Sequence, residues 1–93
     1  MNIAQRTREL PDWQRRAVLD AACSVVMAYA AATRGAHSRE TAEQRVRMGA
    51  VDTAVGDITT NMALPEYFRR LTKRELLAVC LEIVQANIMS WYG

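Results

Sequence analysis

The chain reads as all-α, a small helical bundle of three main helices at about 12–34, 39–62 and 73–91 with short N-terminal and junction helices. Three observations predict this. Apolar residues recur at helical spacing through each long segment, and no stretch alternates as a half-buried strand would. Helix start and stop residues bracket those segments. Rows of small residues, Ala17/Ala21/Ala28/Ala32 and Ala42/Gly49/Gly56/Ala63, run along one face of two of them.

Each element has a local cause. Residues 1–10 form a short helix with Asn2 available as a cap, ending before Leu10-Pro11. Pro11 favours a first helical turn and holds Leu10 extended. The first long helix closes at Arg34, whose charge suits a C-terminus, and Gly35 takes the position after it. Ser38 caps the next helix, with Glu40 and Glu43 leading it. Ala63-Leu64-Pro65 ends that helix, and Pro65-Glu66 opens a short turn through Leu71. Thr72-x-x-Glu75 is a capping box ahead of an apolar run and the clearest start signal in the chain.

Length bounds the rest. The 93 residues make one domain, 1–93. A domain of this size buries only roughly 60–65% of its unfolded surface, so self-association would add useful burial. At 51% hydrophobic and 24% charged the composition is that of a globular protein, and a net charge of +2 does not by itself imply nucleic acid. Cys23 and Cys80 are far apart and share no spacing with a histidine, so they read as buried reduced thiols, with no metal and no cofactor implied. The first ten residues lack an apolar signal core, and no apolar run approaches the roughly 20 residues of a membrane span. A soluble, cytoplasmic protein is expected.

Helical wheels, at about 100° per residue, give the segment 39–62 two seams. Met48, Val51, Val55, Ile58 and Met62 form a stripe of large side chains; the row Ala42/Gly49/Gly56/Ala63 lies roughly 135° away. Two seams imply two neighbours and hence a central helix. Each interior glycine costs about 1 kcal/mol against alanine, and close backbone contact would compensate. The facing helix offers a large face of Val18, Leu19, Ala22, Val25, Val26 and Tyr29 beside its own alanine row. Small row against small row is the expected packing. The last helix is apolar over most of its circumference, which predicts burial among neighbours or a homodimer through it, with Asn87 and Trp91 at the oligomer interface.

No catalytic arrangement is legible. His37 is the only histidine and falls in a loop, no acid and nucleophile assemble around it, and the glycines form no phosphate-cradling loop. Asp52 projects between the two seams, where partial burial would require an arginine or amide partner, and a structural ion pair rather than catalysis is expected of it. The sequence predicts a protein that is not an enzyme. Its strongest charge cluster is Arg69, Arg70, Lys73 and Arg74, which with Tyr67 and Phe68 makes an arginine-and-aromatic surface. Trp13 and Met27 project off the large face of their helix, and Met89 and Tyr92 off the buried arc of theirs. A protein partner, acidic in character, is the expected ligand of that surface, and the chain would act as an adaptor, regulator or inhibitor. Phage-borne inhibitors of bacterial defence systems share this small, site-free helical character, an analogy of size and of the absence of a site. The alternative is a DNA- or RNA-binding regulator using 69–74, against which scattered Arg6/Arg8, Arg15/Arg16 and Arg45/Arg47 weigh.

Overall fold

The computed structural model describes residues 3–33 and 42–92, with side chains described at 3, 5–33 and 45–87. Five helices follow in order: α1 (Ile3–Arg8), α2 (Asp12–Thr33), α3 (Ala42–Thr60), α4 (Glu66–Arg69) and α5 (Lys73–Tyr92), with no strand among the described residues. The three long helices and two short ones are those the sequence predicts. The expected stop at Arg34-Gly35, the cap at Ser38 and the loop histidine His37 lie outside the described residues.

Local signals set the boundaries. The Pro11 carbonyl accepts from the amides of Gln14 (3.0 Å) and Arg15 (2.9 Å), making proline the first step of α2. Pro65 does the same for α4, in extended conformation and with its carbonyl bonded to Phe68 and Arg69. At the head of α5 the capping box closes in both directions. The Glu75 amide donates to Thr72 Oγ1 at 3.2 Å, and the Thr72 amide donates to a Glu75 carboxylate oxygen at 3.0 Å.

One core joins every element. Val18, Ala22 and Val25 of α2 meet Ile58 of α3, Leu64 and Phe68 of the junction, and Leu76, Cys80 and Ile83 of α5, all nearly or wholly buried. Val51 of α3 is buried as well. The central helix is α2, not α3 as two seams would suggest: α2 packs along both α3 and α5, while α3 and α5 meet over only a few residues. Twenty-two residues make α2 long and apolar enough to cross a membrane by length and composition, which corrects the expectation drawn from its sequence. Its Val18, Ala22 and Val25 instead lie at the middle of this core.

The glycine row does not face a neighbour. Gly49 and Gly56 are exposed, and a Cβ built on either would meet nothing within 4 Å. The large stripe joins α3 to the core, through Val51 and Ile58 with Val55 half-buried, Ala54 beside it packs there too, and Met62 at its end is 77% exposed. Small residues still count on the α2 side, where Ala22 and Ala32 are buried, and Ala17 and Ala21 border a groove with Ala54 and Ile58 of α3. The helix pair thus packs through Val18, Ala22 and Val25 against Ile58, not small row against small row.

Candidate functional site

The junction predicted as a binding surface is occupied largely by its own contacts. Phe68 is fully buried and cannot touch a partner; with Leu64 it plugs the core beneath α4, a correction to its expected place on the surface. Arg69 donates from Nε to the Leu64 carbonyl at 3.1 Å, satisfying a backbone acceptor at the turn. Arg70 pairs with Glu66 one turn back at 2.6 Å. Lys73 pairs with Asp52 of α3, tying α3 to the start of α5. Asp52 is thus an exposed ion-pair member rather than a buried acid, and its partner is a lysine. Arg74 is exposed and has no partner among the described residues.

Tyr67 sits between these groups, half-buried, with the Arg6 guanidinium 4.0 Å from its ring centroid. Its hydroxyl is buried and finds no hydrogen-bond partner among the described residues. Asn87 is satisfied inside its own helix, donating from Nδ2 to the Ile83 carbonyl at 2.9 Å. The amide therefore needs no twin for its hydrogen bond. The side chains of Met89, Trp91 and Tyr92 lie outside those described.

A second surface is better formed. Because the chain reverses at Leu10-Pro11, α1 folds back over α5 and the start of α2. This brings Arg8, Arg15 and Arg16 to the rim of one groove of about 550 Å³, floored by Leu19, Ile83 and Ala86. Arg15 is held in place, donating to Asp12 and to the Arg8 carbonyl at 3.3 Å. Arg8 and Arg16 are exposed, and neither has a carboxylate partner among the described residues. Sequence reading missed this convergence, since Arg8 and Arg16 look like isolated charges on either side of a proline. Pro11 marks the end of one helix and the start of the next, but no local signal says that α1 then packs on α5.

Apolar surface is also left open. Trp13 is 63% exposed and Met27 72%, both off the core face as predicted, and α1 does not cover Trp13. Tyr29, expected in the large face of α2, is 42% exposed beside Leu81 in a shallow apolar groove shared with Val26, Leu77 and Ala78. Cys80 is buried, and burial together with neighbouring Cys23 pushes its thiol up to about 12, so it stays protonated and unreactive at neutral pH. Among the described residues no group of three or more metal-ligating side chains comes together. Comparison with protein families, curated proteins and solved structures gives no match.

Proposed function

We propose that the chain is a non-catalytic binding protein, an adaptor, regulator or inhibitor that acts by covering part of an acidic protein partner. The observation that carries this reading is the coexistence of arginines without partners among the described residues (Arg8, Arg16, Arg74) and large exposed apolar side chains (Trp13, Met27, Met62) on a small domain. Arginine, tryptophan and methionine are enriched at the centres of protein interfaces, where charge steers and apolar area anchors. Nucleic acid at the junction is less well supported, because Arg69, Arg70 and Lys73 are engaged with Leu64, Glu66 and Asp52. A homodimer through α5 belongs to the same reading, with Tyr29 and Leu81 among the surface it would cover. So does a cytoplasmic location.

The test is affinity capture from the native host, then salt titration of the purified complex. A protein partner whose affinity falls modestly with salt is the expected result. Recovery of nucleic acid alone, released steeply as salt rises, would overturn the proposal.

A further inference from the structure

We infer that the groove between α1, α2 and α5 is the docking site for an acidic segment of the partner protein, one carrying leucine-sized side chains between carboxylates. This deepens the protein-binding reading and rests on it. The groove is amphipathic in the required sense. Its floor is Leu19, Ile83 and Ala86, which recognise only apolar groups, and among the described residues its rim carries three guanidiniums against the single carboxylate of Asp12. Arg15 already neutralises that carboxylate, leaving Arg8 and Arg16 as charges in excess. A ligand that seats an apolar side chain on the floor therefore meets positive charge at its edge. Carboxylates flanking the anchor satisfy both conditions, through charge-assisted and often bidentate hydrogen bonds.

The other polar groups agree. Thr7 donates its hydroxyl to the Ile3 carbonyl at 2.8 Å, and the Asn87 amide nitrogen donates to Ile83. The guanidiniums of Arg8 and Arg16, with the second N–H of the Asn87 amide, are the side-chain donors that remain for a ligand among the described residues. Because Arg15 is held by Asp12 and by the Arg8 backbone, part of the rim is ordered before binding, which lowers the entropy lost on docking. The volume of about 550 Å³ suits a few side chains, within the span of roughly 300–1,000 Å³ usual for ligand clefts. Among the described residues no aromatic ring lines the groove, so they offer an unpaired base charge but no stacking platform, whereas their apolar floor accepts a side chain. On these residues the groove favours an acidic peptide over a nucleic acid strand.

The test is an NMR titration of the full isotope-labelled chain with end-blocked Glu-Asp-Leu-Leu-Asp-Glu. Two controls replace the leucines by serine or the acids by their amides, and a short DNA duplex is the rival probe. The expected result is saturable shifts at Arg8, Arg16, Leu19, Ile83 and Ala86 with the first peptide, and affinities about tenfold or more weaker with both controls. Arg8→Glu combined with Arg16→Glu, both exposed positions, should weaken the first peptide about tenfold with Tm unchanged, while Arg74→Glu leaves it bound. Equal binding of the serine control, shifts confined to 69–74, no saturable shift in the groove, or tighter DNA binding there would each overturn the assignment. A captured protein that binds the Arg8/Arg16 variant at full affinity would sink the groove and leave the protein-binding reading standing. Capture of nucleic acid alone would sink the reading itself.

Discussion

Tyr67 carries two opposing interactions at one side chain. Its ring takes the Arg6 guanidinium at 4.0 Å, while its hydroxyl is buried without a partner among the described residues. Leaving a buried polar group unpaired costs about 1–3 kcal/mol, whereas the ring contact survives loss of the hydroxyl. Tyr67→Phe is therefore expected to raise stability by about 1 kcal/mol in urea unfolding. A loss of similar size would mean the hydroxyl is satisfied. The glycines allow a parallel measurement. Nothing stands within 4 Å of an added Cβ at Gly49 or Gly56, and both lie inside α3. Each Gly→Ala change should stabilise the free chain by about 1 kcal/mol, the helix-propensity difference with no steric penalty. Destabilisation would place a neighbour against that face.

At the scale of elements, stop and start signals were legible because they are local chemistry. Thr72 and Glu75 need only each other and the backbone between them, and Pro11 and Pro65 act on the residues beside them. Which ridge of a helix meets which neighbour is not local. The glycine row and the valine stripe of α3 are both regular in sequence, and nothing along the chain says that only the stripe finds a partner. The alternative use of the row is visible in the structure. Thr53 donates to the Gly49 carbonyl at 3.0 Å and Thr59 to the Gly56 carbonyl at 2.7 Å, an exposed face of glycines and back-bonded threonines that weakens α3 as a helix. The arginine groove was hidden for the same reason, since it exists only once α1 has folded back. The α5 cap gives a pH prediction. The Thr72 backbone amide, then its hydroxyl, hold the Glu75 carboxyl below its ordinary value of 4.5. A depressed carboxyl stabilises the fold above that value, and its contribution is lost as pH falls through and below it. Glu75→Ala should destabilise the fold at neutral pH, with the difference from the parent chain shrinking in acid. A cost independent of pH would mean that the charge on Glu75 plays no part in the cap.

For the molecule as a whole, α2 is the spine, and the two surfaces flanking it differ in chemistry. The Tyr29/Leu81 side is apolar and shallow; the Arg8/Arg16 side joins charge to an apolar floor. The first suits a copy of the chain and the second an acidic partner, so one domain has room for both. Light scattering of the free chain reads the first directly, since a mass of two chains supports a dimer and a mass of one rejects it. The account as a whole turns on the second. Hydrogen exchange of the chain alone and bound to its captured partner is the most direct measurement. Slowed exchange over α1, the first turns of α2 and residues 83–87 of α5, with Gly49 and Gly56 unchanged, is the expected footprint. Protection confined to 66–74, or running along the glycine face of α3, would contradict it.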